Sequence, residues 1–419
     1  MGRGHEMIEL HNLTEDHAAR RRAAKVMPNG VYGHQSAISL LDGFPQFIQR
    51  TEGCRVWDLD GNEYIDFMCG YGIVLLGYHH PVVDAAIERQ MRLADCSNGP
   101  GLVMVELAEL LVETVDHADW AIFAKNGTDA TTACVTIARS GTGRRKVLVA
   151  EGAYHGSAPW CTPRMNGVVD EDRAHLIKFR YNDTESFHAA VEAAGTDMAA
   201  VIVSPFRHDA RHDQELVDPD FARAVRRACD DKDAALILDD VRCGFRIAHG
   251  GSWEPIGVKP DLSAWSKAMA NGQPIAAVLG NERFREGTTK IFVTGSFWFS
   301  AVPMAAAIAT INALRDEGAL QKIVAAGDRL RTGLAAQASS YGLTINQTGP
   351  SQMPLLTFAS DVDLTRADLW ARTTAMNGAY LHPWHNWFMM AAHTADDVDR
   401  ALLATDAGFA AVRDKFGAD

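Results

Sequence analysis

No C-x-x-C pair occurs in the 419-residue chain, and its seven cysteines, at 54, 69, 96, 134, 161, 229 and 243, are scattered. An odd, dispersed set of thiols excludes a disulfide scaffold and fits a reducing compartment. No apolar stretch approaches the roughly 18–20 residues of a membrane span. The N-terminal segment is basic in places but has no apolar core, so a secretory signal is not expected. The expectation is a soluble, cytoplasmic protein without a membrane partner. Positive charge is in deficit: 40 Lys and Arg against 53 Asp and Glu give −13 and a pI near 5.6. That balance argues against a nucleic-acid partner and keeps the chain soluble, while remaining compatible with cationic substrates. Internal repeats and low-complexity segments are missing as well. The run Gly141-Thr142-Gly143 lacks a following G-K-[ST] and is no nucleotide loop.

What is present is an ordinary globular balance, 47% hydrophobic and 22% charged, enough for two or three structural units. The segment 44–67 alternates apolar and polar residues around Asp60-Gly61, a hairpin signal. From about 100 onward, strand-like runs (119–127, 146–156, 198–206, 234–241) alternate with helical patterns such as 128–140 and 221–232. This alternation predicts an α/β fold with a large, mostly parallel central sheet and right-handed crossovers. From about 303 the pattern is helical, then α+β. The expected division is an arm and part of a smaller domain over 1–74, a large domain over 75–303, and the rest of the smaller α+β domain over 304–419. Ligands of such sheets sit outside the carboxyl ends of the strands, and the unusual polar residues cluster there.

Lys267 follows a short apolar run and precedes a Gly/Pro loop. At a buried strand end its pKa falls and it becomes a usable amine nucleophile; otherwise its stem lies across Trp265 or Met269 at the surface. Asp239 and Asp240 end the run AALILDD, and neighbours on a strand point opposite ways, so at most one faces a given site. Such a carboxylate either ends a turn or pairs with a cation such as a protonated pyridine nitrogen. No metal site is expected, because the acid pair lacks a His or Cys at ligand spacing. His208-x-x-x-His212 lies in a charged, loop-like stretch and reads as a solvated face. Asn126-Gly127-Thr128 stands between a strand and a helix, either as a plain N-cap or as a phosphate site at a helix N-terminus. Tyr154 and His155 follow another strand, where the tyrosine either stacks on a flat ring or packs a loop. Taken together and in this order, these are the parts that a pyridoxal phosphate enzyme needs.

The motifs make the resemblance specific. The chain resembles the class III aminotransferases among the fold-type I pyridoxal phosphate enzymes, in their glutamate-1-semialdehyde aminomutase-like branch. The family's NSGTEA loop is similar to Lys125–Ala130, its YHG is Tyr154-His155-Gly156, and its DEV…GFR is Asp239–Arg246. Its SK is Ser266-Lys267, while DGNxYIDF and LGHxHP match 60–67 and 76–81. The resemblance implies pyridoxal 5'-phosphate as cofactor, Lys267 as the Schiff-base lysine and Asp239 as partner of the pyridine nitrogen. It places Asn126, Gly127 and Thr128 on the phosphate, Tyr154 on the ring and His155 beside it. It aligns Ser296 with a threonine that reaches the phosphate of a neighbouring subunit, which implies a homodimer with shared active sites.

Departures from the family bear on substrate. Where semialdehyde aminomutases carry a carboxylate-gripping arginine, this chain has Ser36, and the later gating segment is replaced by LHPWHNWF at 381–388. Losing a bidentate clamp disfavours aminomutase chemistry on that substrate. Tyr32, His34, Tyr71, Trp298, His385 and Trp387 supply rings and neutral polar groups instead. Of these, Tyr32, His34, Trp298 and Trp387 are expected to border the substrate. The expected reaction moves an amino group between a primary amine, such as an amino sugar of the aminoglycoside type, and a carbonyl acceptor. The alternative is an aminomutase, epimerase or racemase of the same family; Asp240 and Asp129 in place of glutamates, and Ser204 in place of an acid, keep it open.

Overall fold

The computed structural model describes residues 12–359 and 361–419; the first eleven residues of the expected N-terminal arm lie outside them. The chain divides into two units. One runs to Tyr71, takes in Gly77–His79 and resumes over Gln321–Asp419; the other comprises Gly72–Leu76 and His80–Leu320.

The terminal unit contains β1 (Ile48–Glu52), β2 (Arg55–Asp58) and β3 (Glu63–Asp66), an antiparallel meander. The turn between β2 and β3 closes at Asp60-Gly61, where Asp58 Oδ1 accepts from the main-chain N–H groups of Asp60 and Asn62 and Gly61 takes φ +87°.

The central unit holds β4 (Trp120–Ala124), β5 (Lys146–Ala150), β6 (Leu176–Phe179), β7 (Met198–Val203), β8 (Ala235–Asp239), β9 (Leu262–Trp265) and β10 (Ala276–Gly280). They form one sheet in the order β4-β10-β9-β8-β7-β5-β6. The neighbours from β9 to β6 are parallel, and β10 runs antiparallel to both β9 and β4. β7 and β8 are wholly buried, as continuous apolar runs covered on both faces must be. Strand alternation divides their side chains. Ala200, Ile202, Ala235 and Ile237 pack with Ala130, Cys134 and Ile137 of the helix Gly127–Thr142. Val201, Val203, Leu236 and Leu238 pack with Phe187 and Phe221, from helices Thr184–Ala194 and Pro219–Asp231. The parallel strands bring Asn126, the loop after β5, Asp239 and Lys267 to one edge of the sheet, the edge of the carboxyl ends. The helix Ala301–Asp316, expected in the smaller domain, packs instead against Pro81–Leu93 and Val103–Thr114 of the central unit, because it is apolar nearly all round.

The C-terminal part of the terminal unit adds the hairpin β11 (Ile345–Thr348) and β12 (Leu355–Phe358), and β13 (Ala379–Tyr380), which pairs in parallel with β3. Helices Thr365–Met376 and Ala395–Phe416 pack together there. Here the structure corrects one expectation. Trp387 is wholly buried, stacks on Trp370 at 5.7 Å and donates its indole N–H to the His382 carbonyl at 2.8 Å. It is a core residue with no surface to offer a substrate.

Candidate active site

Asp239 ends β8, with its side chain buried and turned toward His155. His155 Nδ1 lies 2.7 Å from Asp239 Oδ2, and the Val241 N–H donates to Oδ1 at 3.1 Å. A carboxylate only accepts, so Nδ1 carries the imidazole proton. His155 Nε2 is buried without a hydrogen-bond partner. Asp240 points the other way, as strand geometry requires, and accepts from the Ser252 hydroxyl and from the Ser252 N–H at 3.2 Å. Burial, aided by the charge of Asp239, pushes the Asp240 carboxyl up to about 7. Two adjacent acids thus have separate environments.

Lys267 follows β9 and opens a short helical turn with a left-handed φ of +46°. It is half-buried. Desolvation, then the Arg242 guanidinium, lower its ammonium pKa to about 7, while Asp239 opposes them. An amine in that state is partly neutral near pH 7.

Between β4 and the helix Gly127–Thr142, Asn126 is the N-cap: its side chain accepts from the Asp129 N–H at 3.0 Å and donates to the Asp129 carboxylate at 2.9 Å. The amide thus caps the helix with one of its two N–H groups still available, and the main-chain N–H groups at Gly127 and Thr128 are presented by the same helix end. A Cβ at Gly127 would lie 2.6 Å from Val241, and one at Gly156, where φ is +128°, would lie 2.5 Å from the Thr128 hydroxyl. Ser157 donates its N–H to that hydroxyl at 3.1 Å. The three loops after β4, β5 and β8 thus meet with no room for side chains at their glycines. Tyr154 is half-buried, its phenol pKa raised by desolvation.

This donor set fits pyridoxal phosphate. The helix N-terminus with Thr128 and Ser157 suits a phosphate, buried Asp239 suits a protonated ring nitrogen, and Lys267 offers a weakly basic amine. The unpartnered Nε2 of His155 leaves a polar atom for a ligand to satisfy.

The remaining expected residues are placed differently. Tyr32 and His34 are exposed on the terminal unit, where His34 stacks on Tyr71 at 4.6 Å and the Tyr71 hydroxyl donates to the His34 carbonyl at 3.2 Å. Trp298 is half-buried in the central unit, in a turn that leaves Ser296 exposed. His208, read as solvated, is in fact buried, and desolvation with the Arg242 charge drives its pKa well down. Sequence reasoning missed two neighbours, His155 as the residue that orients Asp239, and Ser157; Arg242 donates its Nη1 to the His208 carbonyl at 3.3 Å. The histidine and serine stand in the same YHGS run as Tyr154, which was their signal. Among the described residues no cluster of three or more His, Cys, Asp or Glu could hold a metal, and no helix is long and apolar enough to cross a membrane.

The family model for class III aminotransferases matches residues 41–349. The chain is 49% identical over 403 residues to an aminopentol aminotransferase of Sphingopyxis macrogoltabida, covering 96% of each chain. It is 30% identical to a glutamate-1-semialdehyde 2,1-aminomutase of Desulfitobacterium hafniense, covering 91% of this chain and 94% of the other. A Sphingopyxis protein solved in its pyridoxal phosphate internal aldimine form superposes with a TM-score of 0.95 at 49% identity, covering 96% of this chain and 97% of that one.

Proposed function

Because the chain belongs to the class III aminotransferases and is a pyridoxal-phosphate-dependent aminotransferase, we propose that it takes the amino group from a polyhydroxylated primary amine and delivers it to a carbonyl acceptor, with Lys267 as the residue that binds the cofactor covalently. The observation that carries this reading is the placement of Lys267 and the His155-bonded Asp239 on one sheet edge. The amine class is supported by the 49% identity to an aminopentol aminotransferase, an aminopentol being an amine with five hydroxyls. An amino sugar is one member of that class. Tyr32, His34 and Trp298 are the substrate-bordering residues in this reading.

When bound, pyridoxal phosphate supplies an electron sink for the bonds at the amine-bearing carbon. The chain's residues do the rest. Asp239 would hold a proton on the pyridine nitrogen, and His155 keeps that carboxylate in one orientation. The N–H groups of Gly127 and Thr128, with the hydroxyls of Thr128 and Ser157, would hold the phosphate at the helix N-terminus. Tyr154 would cover the ring. Lys267, with its pKa near 7, both accepts and returns a proton at the reacting carbon around neutral pH.

The protein acts as a homodimer in which the exposed Ser296 loop reaches the neighbouring subunit's phosphate. The exposed side chains of Phe292, Phe297 and Phe299 beside it support a contact there. Seven free cysteines support a reducing, cytoplasmic location.

The test is to add a polyhydroxylated primary amine to the loaded enzyme without acceptor. Stoichiometric conversion of the cofactor to its pyridoxamine form is expected. A cofactor that stays in the aldehyde state while the amine's stereocentre scrambles would overturn the reading in favour of an epimerase.

A further inference from the structure

β9 buries polar groups just ahead of Lys267. Leu262 and Ala264 pack into the layer of the helix Gly127–Thr142, so strand alternation turns Ser263 and Trp265 to the opposite face, where both are wholly buried. We propose that Ser263 is a positioning residue for Lys267: bonded between Trp265 and His117, its hydroxyl fixes the indole on which the neighbouring turns are built. This rests on the reading of Lys267 as the reacting lysine.

Donor and acceptor chemistry gives the chain of bonds a direction. An indole N–H only donates, so Ser263 Oγ accepts from Trp265 Nε1, at 2.7 Å. His117 Nε2 lies 2.8 Å from the same oxygen. A buried hydroxyl proton needs an acceptor, so Ser263 donates to Nε2 and the imidazole carries its own proton on Nδ1. Burial lowers the His117 pKa to about 4, which keeps that acceptor neutral at ordinary pH. The segment around His117 is tied down on both sides. The Asp116 N–H donates to Glu254 Oε1 at 3.1 Å, and the Asp119 N–H to the Gly280 carbonyl at 2.9 Å.

The indole held in this way supports two strained places. Gly244, in the turn after β8, packs so closely on it that a Cβ would lie 2.5 Å from the ring. The Phe245 ring lies against it, with centroids 4.7 Å apart. Phe245 and Lys267 both take left-handed φ, +61° and +46°, a conformation that such side chains keep only where their surroundings impose it. Trp265 touches the first and precedes the second by two residues. An indole released from Ser263 would let both backbones relax, and the Lys267 amine would lose its set position at the sheet edge. Apolar residues could fill this space without the cost of burying three polar groups; what the hydroxyl adds is direction.

The test uses the loaded full chain as wild type, Ser263→Ala, Ser263→Thr and His117→Phe, with rates expressed per cofactor-bound site so that lost folding or loading drops out. In Ser263→Ala, kcat for a primary amine should fall about 10- to 100-fold with KM little changed, the pattern of a misplaced reacting group. The pH midpoint of the lysine-bound cofactor's visible absorbance, read without substrate, should move as well, and Ser263→Thr should restore both. His117→Phe keeps the serine and the indole but removes the acceptor. It should move both readouts the same way, and it carries the comparison if Ser263→Ala does not fold. Lower thermal stability with kcat and midpoint unchanged would overturn the proposal and leave Ser263 a packing residue. A midpoint that moves while kcat per site stays put would uphold the hold on Lys267 and overturn the reading of that lysine as the reacting one.

Discussion

The carboxyl edge of the central sheet and the 381–393 segment of the terminal unit carry similar side chains in different physical states. Both hold histidines, aromatic rings and hydrogen-bonded polar groups. At the sheet edge the groups are left chemically unfinished: His155 Nε2 has no partner, and Lys267 is held near neutrality. In the 381–393 segment they are closed on one another. Trp387 donates to the His382 carbonyl, and His393 Nδ1 accepts from the Met390 N–H at 3.1 Å while Nε2 lies 3.1 Å from the Asp66 carbonyl. A functional residue is marked less by its type than by a hydrogen-bonding or proton-binding capacity that the fold leaves open.

Substitutions can break or sharpen that contrast. The largest effect belongs to Lys267→Ala, which should abolish turnover and the visible absorbance of the lysine-bound cofactor while thermal unfolding stays cooperative. Retained turnover would show that the open amine is elsewhere. Asp239→Asn should fold and hold some cofactor, yet slow the reaction by orders of magnitude, because an amide cannot hold a proton on the pyridine nitrogen. Single-turnover kinetics with a primary amine measure it.

On the closed side, Trp387→Ala should cost about 3–5 kcal/mol of stability, the usual range for a deleted core aromatic. The ratio of kcat/KM values between two amine donors should not move, and a changed ratio would return Trp387 to the substrate site. The smallest effect is expected at Asp240. Its folded pKa, about 7, lies above the unfolded value, so it contributes stability at low pH that is lost as pH rises from the carboxylate range through about 7. Asp240→Asn should flatten denaturation midpoints across that window, and an unaltered pH profile would count against the burial argument.

Much of the central unit is legible because buried parallel strands write themselves as apolar runs between helix signals. The runs at 198–206 and 234–241 contain β7 and β8, and the helix signal after Asn126 is the helix Gly127–Thr142. The carboxyl-end rule then places Asp239 and Lys267 on one edge without coordinates. What is not legible depends on three-dimensional neighbours. The string FRHDARHDQE looks solvated, yet His208 is buried beneath Arg242. The aromatic run around Trp387 reads equally well as pocket or core, and only stacking on Trp370 decides it. The helix Ala301–Asp316 looks like the start of a new domain, but its apolar circumference needs partners on several sides. Asn126 matches a phosphate-loop residue by motif, but its role as the helix N-cap bonded to Asp129 shows only in three dimensions.

The central claim is that the open amine of the sheet edge is Lys267. Borohydride reduction of the loaded enzyme, followed by proteolysis and mass mapping, tests it directly. A pyridoxyl phosphate adduct on the peptide that contains Lys267 is the expected result, and an adduct on any other lysine, with Lys267 unmodified, would contradict it.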